Sequence, residues 1–304
     1  MRPLLGVPLG MTAAALAYGA AIEVRAFRLR RIEVPVLPRG QRPLRVLHLS
    51  DLHLRPGQSK KRAWVRSLAG LEPDLVIDTG DNLAHPQAVP AVFDSLGPML
   101  DLPGAYVLGS NDYFAPRPKN PVDYLRRDSG KRPTNHFLPW QDLRDGLIAA
   151  GWRDLTNRRD FLEVDGRRIA LIGVDDPHLR RDRYDIAGGR LDPDVDLRLG
   201  VVHAPYRRVL DRMAADRLDL ILAGHTHGGQ LCVPGYGAVV TNCDLPRQQA
   251  KGLSRWRSSW LHVSAGLGTS PYAPVRFACP PEATLLTLVA AGSPSARLAA
   301  STGV

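Results

Sequence analysis

Asp51 and His53 in S-D-L-H-L, Asp81 in T-G-D-N, Asn111 in G-S-N-D-Y, His203 in V-V-H-A-P, and His225 with His227 in A-G-H-T-H-G-G-Q follow one another along the chain. Each cluster comes directly after an apolar, β-rich run. Carboxylates and imidazoles delivered from several strand ends to one place suit hard or borderline divalent ions, whereas a thiolate-selecting ion would call for cysteine. In D-L-H the two side chains stand two residues apart at a strand end and can turn toward one ion, and His225 and His227 can do the same around Thr226. Gly224, Gly228 and Gly229 permit tight turns and close approach to a substrate oxyanion. A lone D-x-H or G-D-N is an ordinary turn feature; the ordered set carries the inference.

The elements that would position these residues alternate. Residues 44–49, 75–77 and 105–108 read as strands, with helical spacing over 60–71 and 89–100 between them. Such a rhythm predicts parallel strands with right-handed crossovers and ligands outside their carboxyl ends. After an irregular stretch over 113–139, a helix is predicted over 140–150, then strands over 161–164 and 168–174 flanking the hairpin signal Asp165-Gly166. A strand over 197–202 runs into His203, a helix covers 206–217, and a strand over 218–223 runs into His225. Residues 237–241, 261–264 and 284–289 read as strands of a second sheet, which predicts a two-sheet sandwich with helices outside.

The 304 residues, 44% hydrophobic, suffice for one large core, and no central linker divides them. The net charge of +10, carried mostly by arginine, suits an anionic partner: a phosphate substrate, an acidic lipid surface or a nucleic acid. With only 6% aromatic residues and no arginine block interleaved with them, nucleic-acid binding is the minority reading. Cys232, Cys243 and Cys279 are odd in number and lack C-x-x-C spacing, which argues against a disulfide framework. Residues 3–22 are uncharged and precede Glu23, Arg25, Arg28, Arg30 and Arg31. Three readings of residues 1–31 stay open: a signal peptide, a membrane anchor with the domain on its cytoplasmic side, or a helix lying on the protein surface. Residues 44–289 form the expected catalytic domain and 292–304 a frayed tail.

The ordered motifs D-L-H, G-D-N, G-S-N-D, H-A-P and G-H-T-H-G-G-Q resemble those of the calcineurin-like metallophosphoesterase superfamily, and in particular a bacterial branch acting on membrane-associated substrates. The resemblance spans residues 44–289 and implies an α/β fold, a four-layer α/β/β/α sandwich of two mixed sheets. It implies two divalent ions (Mn, Fe, Zn or Mg), one held by Asp51, His53 and His227, the other by His203 and His225, with Asp81 bridging. The implied activity is hydrolysis of a phosphate ester or pyrophosphate bond by a metal-activated hydroxide, on a phosphorylated small molecule or a lipid-linked substrate. The arginine excess after the uncharged run, by the positive-inside tendency, leads to an expected location on the cytoplasmic side of the membrane or in the cytoplasm. A catalytically silent scaffold and a basic nucleic-acid phosphodiesterase are the alternatives.

One motif departs from the family pattern G-N-H-D/E. Matched without a gap, Ser110 takes the metal-ligand position and Asn111 the position of the leaving-group histidine; shifted by one, Asn111 is the amide ligand. The second is preferred, because a neutral hydroxyl replaces an amide oxygen poorly. Under either, the general acid is missing, since an amide cannot deliver a proton at neutral pH. Asp81, Asn111 and Asp112 stand nearest the expected chemistry, with His136 and His178 as replacement acids and Asp175 and Asp176 as turn residues. Arg117 and Lys119 head a basic stretch that could clamp phosphate.

Overall fold

The computed structural model describes residues 6–118 and 136–292, with side chains from residue 14 onward. It begins with helix α1 (Gly6–Ala21) and strands β1 (Arg28–Leu37) and β2 (Leu44–Leu49). Helix α2 (Ser59–Ser67), β3 (Leu75–Asp78), α3 (Val89–Leu96), β4 (Gly104–Tyr106) and the single turn α4 (Ser110–Tyr113) follow. Then come α5 (Trp140–Ala149), β5 (Arg153–Asp154), β6 (Arg158–Val164), β7 (Arg167–Gly173), α6 (Tyr184–Ala187), β8 (Leu197–Val202), α7 (Arg207–Ala215) and β9 (Leu220–Ala223). The chain closes with β10 (Cys232–Val233), β11 (Gly237–Ala238), β12 (Gly252–Trp256), β13 (Ser259–Val263) and β14 (Glu282–Ala290).

Two six-stranded sheets result, ordered β1-β14-β2-β3-β4-β5 and β12-β13-β9-β8-β7-β6. Strands β2 to β5 are mutually parallel, as are β7, β8, β9 and β13, while β14 runs antiparallel to β2. Period-two alternation divides each strand between two layers. In β2, Leu44 and Val46 face the inter-sheet core with Ile77, Leu171, Leu199 and Leu222, whereas Leu47 and Leu49 pack with Val65 of α2 and Val92 of α3. On the second sheet, Ala170, Val202 and Ile221 meet Val209, Leu210 and Met213 of α7. The layers are therefore helix, sheet, sheet, helix: the expected α/β/β/α sandwich of mixed sheets. At the β6–β7 hairpin Asp165 and Gly166 have φ of 51° and 71°, the paired positive values of a type I′ turn.

Two strand expectations need correction. Residues 284–289 belong to β14 in the first sheet, not the second, and residues 237–238 form only a two-stranded ribbon with β10. Periodicity marks a strand but not its partner. The amino-terminal boundary at residue 31 also falls inside β1, which pairs parallel with β14 and buries Val34 and Leu37 while Arg28, Arg30 and Arg31 stay exposed. The preceding segment docks on the domain: the buried Glu23 carboxylate accepts from the backbone N–H groups of Ala278 (3.1 Å) and Cys279 (2.6 Å). Among the described residues no helix is long and apolar enough to cross a membrane. Apart from Gly292, the expected tail lies outside the described residues.

Candidate metal centre

The carboxyl ends of β2, β3, β8 and β9 meet at one edge where the two sheets face each other, and the loops leaving them are pinned together. Asp51 N–H donates to the Gly80 carbonyl (2.8 Å), His53 N–H to that of Asp81 (2.9 Å), and Gly224 N–H to that of His203 (2.9 Å). Five side chains delivered here come from backbone in the left-handed region: φ is 51° at Asp51, 42° at His53, 59° at Asp81, 67° at His225 and 50° at His227. For residues with a Cβ, each such conformation costs on the order of 1–3 kcal/mol and persists only where the surroundings enforce it. The cluster also needs glycine close by. A Cβ on Gly109 would stand 2.3 Å from Asp81 Oδ1, and one on Gly224 would be 2.6 Å from Asp51 Oδ2.

Two triads of ligand atoms converge, Asp51–His53–His227 and Asp51–Asp81–His203, each within 4.8 Å. Asp81 reaches both, with Oδ2 at 3.5 Å from His53 Nε2 and Oδ1 at 3.4 Å from His203 Nε2. Backbone acceptors fix the imidazole tautomers. His203 Nδ1–H donates to the Thr79 carbonyl (2.7 Å) and His227 Nδ1–H to that of Gly268 (3.1 Å), which turns each Nε2 into the cluster. His203 Nε2 is buried without a hydrogen-bond partner, and the Nε2 atoms of His53 and His227 lie 3.2 Å apart.

The protonation preferences fit a cation. Burial, opposed by Asp81, holds His53 down at about 4, and burial lowers His227 well below the usual imidazole range, so both present lone pairs near neutrality. Burial also raises Asp51, to about 6. At Asp81 burial acts upward but is outweighed by the His203 and His53 imidazoles and the Asn111 hydrogen bonds, which keep this carboxyl well below the usual range. At His203 burial is outweighed by Asp81, Asp176 and Asp51, so its pKa rises to about 9. A positive charge between His203 and Asp81 is thus favoured whether a proton or a metal ion supplies it, and lone-pair nitrogens beside carboxylates are the donor set of a divalent ion. The residues fit the metals that the motifs imply.

His225 stands outside both triads. Its Nε2 lies 3.3 Å from the Asn242 carbonyl, and its ring packs at a tilt against His178 and edge-on to His203, at centroid distances of 4.4 and 5.1 Å. Asn111 does enter the cluster, donating to Asp81 from its backbone N–H (2.7 Å) and its side-chain amide (2.6 Å). Ser110 is buried, with no hydrogen-bond partner for its hydroxyl. Asp112 has a different place from the one expected of a catalytic group. Its buried carboxylate accepts from the backbone N–H groups of Gly109 (2.9 Å), Asp81 (2.8 Å), Asn82 (2.7 Å) and Leu83 (3.2 Å), so it holds the Asp81 loop. Of the two clamp candidates, Arg117 is exposed and Lys119 lies outside the described residues. His136 is exposed too, whereas His178 is buried behind His225 with its Nδ1 at 3.0 Å from the Tyr206 hydroxyl.

Sequence reasoning missed Arg276. Fully buried, its guanidinium donates to the carbonyls of Ala265 (2.8 Å), Gly266 (3.0 Å), Gly268 (2.7 Å) and Cys279 (3.2 Å), shaping the loop that orients His227. The available signal was an arginine inside the otherwise apolar run A-P-V-R-F-A-C. Asp175 and Asp176 are turn residues as expected: Asp176 caps the following turn by accepting from His178 N–H at 2.8 Å.

An uncharacterised metallophosphoesterase of Aquifex aeolicus is 27% identical over 293 residues, covering 92% of this chain and 99% of that protein. Phosphodiesterase YaeI of Escherichia coli is 27% identical over 268 residues, 86% of this chain and 88% of that protein. A transmembrane protein with metallophosphoesterase domain from Danio rerio is 28% identical over 239 residues, 73% of this chain but 49% of that protein. Residues 44–229, more than half the chain and carrying all seven motif residues, match the family model for calcineurin-like phosphoesterases, and the chain belongs to that family.

Proposed function

We propose that the protein is a dinuclear metal-dependent phosphohydrolase that cleaves a phosphate ester or pyrophosphate bond on a phosphorylated small molecule or a lipid-linked substrate. The observation that carries this reading is the convergence of Asp51, His53, Asp81, His203 and His227, four of them on left-handed backbone. A silent scaffold has no use for that strain or for burying these polar groups together. Divalent ions held here would bind phosphoryl oxygens and lower the pKa of a shared water toward ~7. Asp81, with one oxygen toward each triad, is suited to bridge them, and Thr79 and Gly268 keep the His203 and His227 lone pairs aimed inward.

With the His203 Nε2 taken up by a metal ion, no imidazole of the cluster would be left to donate a proton to a departing oxygen at neutral pH. Asn111 sits where its amide can only donate hydrogen bonds or coordinate, and His178 is screened by His225. Good leaving groups are therefore favoured. Hydrolysis of bis(4-nitrophenyl) phosphate by purified protein with Mn²⁺, Fe²⁺, Zn²⁺ or Mg²⁺ tests the reading; turnover that resists exhaustive chelation would count against it.

A further inference from the structure

A cavity of about 700 Å³ opens directly on His53 and runs away from the cluster toward the amino-terminal segment. That volume lies within the ~300–1,000 Å³ range of sites for small organic ligands. One wall is apolar, built from Val24, Phe27, Trp64 and Pro271, with the Phe27 and Trp64 rings in contact at 5.4 Å. The other carries Arg25, Arg55 and Lys60, and among the described residues no aspartate or glutamate lines the space. Arg55 and Lys60 are exposed. The apolar character continues outward, since Leu16 and Ile22 are 51% and 58% exposed at the start of the same segment.

We propose that this cavity is the subsite for the organic group of the substrate and that it accepts an aliphatic chain attached to the phosphate. The inference rests on the phosphohydrolase reading. Its logic is complementarity. A phosphate at His53 leaves its substituent in a channel whose cations favour an anion and whose hydrocarbon wall favours a chain. On this view Val24 and Phe27, which lie outside the ligand motifs, set specificity, and the amino-terminal segment is a wall of the site.

The test uses the full-length, Mn²⁺-loaded protein and methyl, butyl and octyl 4-nitrophenyl phosphate below their micelle-forming concentrations. All three release the same phenolate, so differences in kcat/KM report the chain. Two buried methylenes at about 0.8 kcal/mol each are worth about tenfold, so kcat/KM should rise at least about tenfold from methyl to octyl. Val24→Asp should reduce that ratio to near one. Equal kcat/KM for the three esters in the unmodified protein would overturn the proposal while leaving the phosphohydrolase reading intact. Should none be hydrolysed, the phosphohydrolase reading fails, and calorimetry with octyl phosphate decides on the cavity: saturable binding lost in Val24→Asp supports it, and no binding overturns it. Comparing the octyl ester in solution with its hexadecyl counterpart in phosphatidylcholine vesicles shows whether the chain comes from a soluble amphiphile or a membrane lipid.

Discussion

Replacing Asp112 distinguishes a loop anchor from a proton donor. Its carboxylate is the acceptor for four buried backbone N–H groups, those of Gly109, Asp81, Asn82 and Leu83. In Asp112→Ala all four lose their partner, and at about 1–3 kcal/mol for each unsatisfied group the total, about 4–12 kcal/mol, rivals the whole stability of a folded domain, about 5–15 kcal/mol. That variant should not accumulate as folded protein. Asp112→Asn keeps the shape but turns an NH₂ toward two of the four donors, for a loss of about 2–6 kcal/mol. In urea unfolding, with protein and metal concentrations held fixed, its midpoint should fall by roughly 1 M or more. Because the Asp81 loop loosens with it, metal content should fall as well. An Asp112→Asn protein with the parent midpoint and metal content but no turnover would refute this reasoning and make Asp112 a proton-transfer residue.

Three further outcomes follow from the geometry. Gly109→Ala at a φ of −109° meets no backbone strain, yet its methyl would sit 2.3 Å from Asp81 Oδ1, so metal affinity measured by calorimetry should drop at least about tenfold while the circular dichroism spectrum is kept. Burial holds His262 at about 3, against about 6.5 when unfolded; as this pKa is depressed on folding, its stability contribution is complete above pH 6.5 and is lost as pH falls toward 3. His262→Gln lacks that linkage, so the stability difference between the two proteins should change by about 1.4 kcal/mol per pH unit between pH 6 and 4; a constant difference would show that His262 is protonated in the fold. Finally, rates across a series of aryl and alkyl phosphate esters should depend steeply on leaving-group pKa, because an acid that normally contributes ~10²–10⁴-fold is absent; a shallow slope would identify a substitute such as His178.

What the sequence made legible was what local pattern encodes. Apolar runs ending in Asp51, Asp81, His203 and His225 announced parallel strands with functional carboxyl ends, and Asp165-Gly166 announced its hairpin. Partner choice was not legible. β14 sits between β1 and β2 and is buried on both faces, a property shared by the central strands of either sheet. β1 was hidden because an edge strand needs only one apolar face, and its arginines read as a flank to the uncharged segment. Within the site, the motif showed which residue types were present but not their division of labour. Asp112 follows Asn111 directly, yet the single turn beginning at Ser110 sends one side chain to Asp81 and the other to the backbone beneath it. Arg276 acts through carbonyls, which leave no trace in a pattern of side chains.

The most direct measurement is stepwise Mn²⁺ reloading of chelator-treated protein, following bound metal and bis(4-nitrophenyl) phosphate hydrolysis together in the unmodified chain and in Asp81→Ala. Activity should rise with occupancy to a plateau at two ions per chain, and Asp81→Ala should bind little metal and turn over no substrate. Full turnover by the metal-free protein, or full occupancy and turnover in Asp81→Ala, would contradict a dinuclear centre built on Asp51, His53, Asp81, His203 and His227.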